Sequence, residues 1–156
     1  MARKTKAVIK SQKAYLKPER ARAYPPKAPS VKDMMTVAAT TMPELIAYAK
    51  ANPTKLSFAS AGNGAANHLA GEMIKSMAGI QMTHIPYKGD SPGMPDVISG
   101  TVSMMFPTII AGMPNIKSGS MRPIAVTGAK RSSSLPDLPT VSESGIPGFE
   151  AVSWGG

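Results

Sequence analysis

The residues of this chain whose types and spacing suit a chemical role form a glycine-rich turn, Ser60 to Ala65, with the sequence SAGNGA. Gly62 and Gly64 permit backbone angles that residues with a Cβ avoid. Downstream, Leu69 and Met73 recur at helical spacing. A turn that leads into a helix leaves backbone N–H groups unpaired at the positive end of the helix dipole. The sequence therefore predicts a site for an anion such as a carboxylate or a phosphate.

The sequence gives less support to nucleotide binding, metal binding or catalysis. The turn lacks the Gly-Lys-Ser/Thr ending of a nucleotide-binding loop. His68 and His84 are far apart in sequence and lack clustered carboxylates, and the chain has no cysteine, so no metal site is predicted. Ser132–Ser134 has no histidine nearby, and Asp90 and Asp96 are better read as solvated than as a carboxylate pair. We therefore expect a binding protein that is not an enzyme and has no cofactor.

The elements that must position the turn alternate between strand and helix patterns. Strands are predicted at residues 56–60, 82–86, 101–106, 121–127 and 149–154. Helices are predicted at residues 41–52, from 65 to Gly79, from the turn at 87–91 to Ser99, at 108–117, and as one short turn at 140–144. Such alternation predicts an α/β fold with a mostly parallel sheet flanked by helices.

The turns after Ser60, Pro86, Phe106 and Thr127 all follow predicted strands. Because the carboxyl ends of parallel strands meet at one edge of a sheet, these turns should line a single rim. Polar groups expected at that rim are Ser60, Asn63, Tyr87, Lys88 and Thr127.

Charge divides the chain into unequal parts. Residues 1–32 carry 10 basic side chains against Glu19 alone, whereas residues 33–156 carry 8 basic and 8 acidic side chains. We therefore expect three segments: a basic, proline-containing leader at 1–35 that is disordered in isolation, an α/β ligand-binding lobe at 36–150, and a truncated return segment at 151–156.

The basic leader leaves a second function open, namely an interaction protein whose tail binds nucleic acid or anionic surfaces. Only Tyr15 and Tyr24 interleave aromatic rings with its charges, so no specific nucleic-acid partner is expected. The longest apolar run near the start is residues 7–9, so neither a signal peptide nor a membrane span is visible.

Several ordered motifs between residues 42 and 154 resemble those of one receptor family. They are PELI at 43–46, AKANP at 49–53, LSFASAGNG at 56–64, HLAGE at 68–72, HIPYKG at 84–89, MF at 105–106, PNIKSG at 114–119, RPIAVT at 122–127, Arg131, LPDLPTV at 135–141 and ESGIPGF at 143–149. The resemblance is to the Bug family, the periplasmic solute-binding receptors of tripartite tricarboxylate transporters.

This resemblance implies a two-lobed periplasmic binding protein of type II, of which the chain looks like the second lobe. It also implies a receptor for small carboxylates, with the transporter's membrane subunits as partners and the periplasm as its location. The alternatives are an incomplete copy, a non-functional gene fragment, or a chain that self-associates to cover the absent lobe's face.

By position, the resemblance assigns ligand binding to three loops. The residues that it implies are Ser60, Ala61, Gly62, Gly64, Ala65, Tyr87, Lys88, Gly89 and Pro107. Two of them depart from the family pattern, because position 65 is often Ser or Thr and position 107 is often Asp. With one lobe alone, ligand binding is expected to be millimolar or weaker by order of magnitude.

Overall fold

A computed structural model describes residues 39–152 of the chain. Its elements, in chain order, are α1 (Met42–Ala51), β1 (Ser57–Ser60), α2 (Ala66–Ala78), β2 (Thr83–Pro86), α3 (Asp90–Ser99), β3 (Met104–Met105), α4 (Ile109–Lys117) and a 3-10 helix (Ser142–Ser144). The whole of the predicted leader, residues 1–35, and residues 153–156 lie outside the described residues. None of the helices within 39–152 has the length and apolarity that crossing a bilayer requires.

The three strands form one parallel sheet in the order β2-β1-β3. β1 lies at the centre, and Phe58 is in register with His84 of β2 and Met104 of β3. The predicted α/β fold with a parallel, helix-flanked sheet is therefore confirmed.

Helices cover both faces of the sheet, and α2 and α3 each approach it through a glycine. In α2, a Cβ at Gly71 would lie 2.3 Å from the ring of Phe58. In α3, a Cβ at Gly93 would lie 3.3 Å from the Cβ of Ala59, the next residue of β1. Because successive strand residues point to opposite faces, α2 and α3 lie on opposite sides.

The main hydrophobic core lies between the sheet, α1, α2 and the segment after residue 140. Its buried members are Met42, Leu45, Ala49, Leu56, Phe58, Ala70, Ile74, Ile80, Met82, Val141, Ile146 and Phe149. A smaller cluster of Val126, Leu135 and Leu138 packs against α4. Burial of these side chains fixes the helices on the sheet, and hence the loops between them.

Side chains cap the start of α1. Thr41 Oγ1 accepts a hydrogen bond from the Glu44 N–H at 3.4 Å. The Glu44 carboxylate reaches back to the Thr40 N–H and hydroxyl, each at 2.8 Å, rather than to Thr41. In a capping box this second bond would go to the N–H of the N-cap residue, Thr41, whereas here it goes to the preceding residue. α2 ends as predicted at Gly79, whose φ is 62°.

The predicted strand at 101–106 is wrong in extent, since only Met104 and Met105 pair. At its start, side chains replace the backbone ladder. The Ser57 N–H donates to Ser103 Oγ at 3.1 Å, and the Ser103 N–H donates to Ser57 Oγ at 3.2 Å. Two hydroxyls thus take the positions that strand carbonyls would occupy.

The predicted strand at 121–127 is also wrong. In its place, Val126 makes a single parallel bridge to Thr140, and Pro123 and Pro139 have no N–H with which to extend it. The strand predicted at 149–154 does not form over residues 149–152, where Ala151 donates one bond to the Thr127 carbonyl at 2.8 Å. The turn after Thr127 therefore does not follow a strand of the sheet.

Candidate functional site

Three loops lie at the carboxyl edge of the sheet, and each leads into a helix. β1 leads through 61–65 to α2, β2 leads through 87–89 to α3, and β3 leads through 106–108 to α4. We call these three loops, with the first turn of each following helix, the rim. Because the strands are parallel, the three helix starts lie at one edge, and their positive dipole ends favour a negative charge there.

The first two loops of the rim are tied together by backbone hydrogen bonds. The Tyr87 N–H donates to the Ser60 carbonyl at 2.9 Å, and the Gly89 N–H donates to the Ala61 carbonyl at 3.2 Å. Gly62 has a φ of 137°, which side chains disfavour, and the Tyr87 carbonyl lies 3.5 Å from where its Cβ would be. The loops therefore act as one unit.

Most N–H groups of the glycine turn already have partners, either inside the turn or in the first turn of α2. Ala61 donates to Asn67 Oδ1, Gly62 to Ser60 Oγ, and Gly64 to His68 Nδ1, at 3.0–3.1 Å. The Ala65 N–H donates to the Gly62 carbonyl at 3.3 Å. The sequence-predicted residues Ala61, Gly62, Gly64 and Ala65 therefore lie together, and their amides shape the turn.

The unpaired donors lie beside them. Within residues 39–152, no hydrogen-bond partner is found for the N–H groups of Asn63, Ala66, Asn67 and His68. The three amides of α2 are unpaired because the N-cap residue, Ala65, has no side-chain oxygen to accept a bond from the first turn of the helix. These amides remain available for an anion.

Asn67 and Asp90 join the starts of the three helices. Asn67 Nδ2 of α2 donates to Asp90 Oδ1 of α3 at 2.7 Å. The Thr108 N–H, at the N-cap of α4, donates to Asp90 Oδ2 at 3.4 Å. The rim thus already holds one carboxylate of its own. Sequence reasoning missed Asn67, although a polar residue one turn beyond a glycine pair is a usable signal.

Tyr87 is held by a hydrogen bond to α3. Its hydroxyl donates to Asp96 Oδ2 at 2.5 Å, and this hydrogen bond, followed by burial, raises the pKa of the Tyr87 phenol. Asp90 and Asp96 therefore have separate partners. Both carboxylates are half-buried and hydrogen-bonded rather than fully solvated.

The two histidines, distant in sequence, meet next to Ser60. Their ring centroids are 3.9 Å apart, and Ser60 Oγ lies 2.6 Å from His84 Nε2. Burial, and then the nearby His68, lowers the pKa of His84. His68 packs and is hydrogen-bonded as a structural histidine. Across residues 39–152, no group of three or more metal-binding side chains is found.

Two more sequence-predicted residues complete the rim. Lys88 is exposed and carries a positive charge in the second loop. Pro107 is half-buried in the third loop, where its ring lies 3.3 Å from the position of a Cβ on Gly112. Since proline has no N–H, Pro107 contributes shape rather than a donor.

An apolar depression of about 350 Å³ opens beside the start of α2. Its lining residues are Ala66, Leu69, Met73, Glu150, Ala151 and Val152. Leu69 and Met73 are exposed there. The depression lies next to the unpaired amides, but it lacks a cationic side chain that would hold an anion.

Comparison with known proteins assigns the chain to a family. The family model described as tripartite tricarboxylate transporter family receptor matches residues 32–156. The chain belongs to this family. A Pseudomonas sp. relative, the UPF0065 protein in the tcbD-tcbE intergenic region, is 40% identical over 72% of this chain. Protein BugT of Bordetella pertussis is 36% identical over 70% of it.

Solved structures share the fold. An R. palustris protein with adipate has a TM-score of 0.74 and 38% identity over 76% of this chain. The periplasmic binding protein BugD has a TM-score of 0.68 and 42% identity over 73% of it. BugD is a periplasmic binding protein, and the family is one of transporter receptors rather than enzymes. The match covers 34% of the Pseudomonas relative and 40% of the adipate-bound chain, so this chain spans about a third of their length.

Proposed function

We propose that this chain provides the carboxylate-holding rim of a solute-binding receptor in a tripartite tricarboxylate-type uptake system. The observation that carries the proposal is the set of unpaired N–H groups at the start of α2, beside two further helix starts. Backbone donors at a helix start suit a carboxylate. The adipate held by the R. palustris relative supports this class of ligand.

In this proposal the residues of the rim have two roles. Asn63 and the first turn of α2 donate to the ligand, and Lys88 adds a positive charge. The turn residues Ser60, Ala61, Gly62, Gly64 and Ala65, together with Tyr87, Gly89 and Pro107, hold those donors in place. Because the rim faces solvent on one side, we expect binding near the millimolar range, by order of magnitude.

The family's role supports a periplasmic location and membrane subunits of the transporter as partners. Self-association stays a prediction, which sedimentation velocity tests directly. A non-functional fragment is the alternative; a chain that does not unfold cooperatively in urea would favour it.

Titration of the ¹⁵N-labelled chain with adipate tests the proposal. We expect the amide signals of Asn63 and residues 66–68 to shift most. The Lys88→Gln variant should bind about two- to fivefold more weakly, as for one exposed ion pair. Lys117→Gln, at the far end of α4, is the matched control and should bind like the parent chain. Shifts spread evenly over the surface, or equal losses in both variants, would refute this assignment of the site.

A further inference from the structure

His68 and His84 form a stacked pair against the glycine turn. Their rings are only 12° from parallel, and His84 stacks in turn on Phe58, which is fully buried. These are the two histidines of the entire chain. Phe58 on the sheet therefore packs against the His84 ring, and His84 packs against the His68 ring.

The hydrogen bonds of His68 determine which ring nitrogen carries its proton. His68 Nδ1 accepts the Gly64 N–H at 3.0 Å, so it must hold a lone pair. The proton then lies on Nε2, which faces Glu72 Oε1 at 3.9 Å. A second proton on His68 would have to enter at Nδ1, and Gly64 would lose its acceptor.

The charged groups around the pair are Glu72 and Lys75. Glu72 favours a cationic imidazole, but Lys75 Nζ lies 2.8 Å from the same carboxylate oxygen and offsets its charge. The start of α2 adds positive potential. From β1, the pair contacts Phe58 and Ser60, which are uncharged. Two cationic rings in one stack would also repel each other.

We propose that His68 is a positioning residue of the anion-binding turn, and that its neutral Nε2–H form, stacked on His84, holds Gly64 in place. This inference deepens the proposed function and rests on it. Acidification then releases the Gly64 N–H, loosens the turn and weakens carboxylate binding. If the added positive charge on His68 were its only effect, acidification would instead strengthen carboxylate binding. The direction of the change with pH therefore separates loss of the Gly64 hydrogen bond from simple charge attraction.

The first test needs neither a ligand nor a variant. Long-range ¹H–¹⁵N spectra of the full chain, recorded from pH 8 to pH 5, report the protonation of both imidazoles. We expect His68 to be the Nε2–H tautomer at pH 8, and the Gly64 amide signal to move as His68 titrates. A proton on Nδ1 at pH 8, or a Gly64 amide that does not follow His68, would overturn the proposal.

The second test uses adipate and two variants. His68→Asn places an amide oxygen where Nδ1 lies, so it keeps an acceptor that does not titrate. His68→Phe keeps the stacked ring without the acceptor. Between pH 7.5 and a pH at which the ligand-free spectra show His68 protonated, we expect adipate binding to weaken about fivefold in the parent chain, the size of one neutral hydrogen bond. The loss should vanish in His68→Asn, and His68→Phe should bind weakly at both pH values.

Since adipate itself titrates in this range, the comparison is between chains at each pH. Identical pH profiles for the parent and His68→Asn would show that His68 does not position the turn. If adipate bound none of the chains, the proposed function would fail, whereas the ligand-free spectra would still decide the role of His68.

Discussion

At the scale of single residues, Gly71 determines how closely α2 approaches the sheet. A Cβ there would lie 2.3 Å from Phe58 Cε2, well inside contact distance. The Phe58 ring is fully buried, packs edge-on against Phe106, and stacks on His84 with ring centroids 5.0 Å apart. It has no room to retreat.

The variant Gly71→Ala should therefore destabilise the chain by about 1–3 kcal/mol through overpacking. This loss opposes the gain of about 1 kcal/mol that alanine brings to a helix interior. Urea unfolding measures the difference. Ser76→Ala, on the exposed side of the same helix, is the control for helix propensity. Equal stability of the two variants would contradict the packing argument.

Some residues of the candidate site could be predicted from the sequence and others could not. Gly62 and Gly64 stand out by type, because few residues tolerate the backbone angles of such a turn. The contact of Ser60 with His84 was not predictable, since it depends on the register between β1 and β2. The stacking of His68 on His84 further depends on how α2 crosses that pair of strands.

At the scale of elements, α1 and α2 differ in how they begin. Thr41 caps α1 with its hydroxyl, whereas Ala65 at the corresponding position of α2 has no oxygen to offer. The first turn of α2 therefore begins with unsatisfied donors.

Ala65→Ser should supply the absent cap and stabilise the chain by about 1 kcal/mol. Thermal unfolding of the ligand-free chain measures the effect. Ala66→Ser, one residue inside the helix, adds the same hydroxyl where it does not cap. If both variants shifted the unfolding temperature alike, the gain would not come from capping.

Helix ends were more predictable than strands for a physical reason. A C-cap glycine such as Gly79 or Gly100 ends the helix that directly precedes it in sequence, so the local sequence is enough to predict it. A strand requires a partner, and the predicted strand at 101–106 shortened because Ser57 and Ser103 pair through side chains. Similarly, the strand predicted at 121–127 is reduced to a single bridge between Val126 and Thr140.

At the scale of the whole molecule, two side chains, His84 and Glu143, link stability to pH. Burial and His68 lower the pKa of His84 from its ordinary 6.5. The Thr140 N–H at 2.9 Å and Arg131 Nε at 2.8 Å lower the pKa of Glu143 from its ordinary 4.5. In both cases, the unfolded chain binds a proton more readily than the folded chain does.

Stability should therefore fall in two stages as the pH falls. The His84 contribution is complete above pH 6.5 and is lost as the pH falls from there through its lowered folded pKa. The Glu143 contribution is complete above pH 4.5 and is lost below that value. Urea midpoints measured from pH 8 to pH 3 should show both stages. His84→Gln, whose amide can still bond Ser60, should flatten the upper stage, and Glu143→Gln the lower. A chain that grew more stable between pH 7 and pH 5 would contradict the sign of the His84 shift.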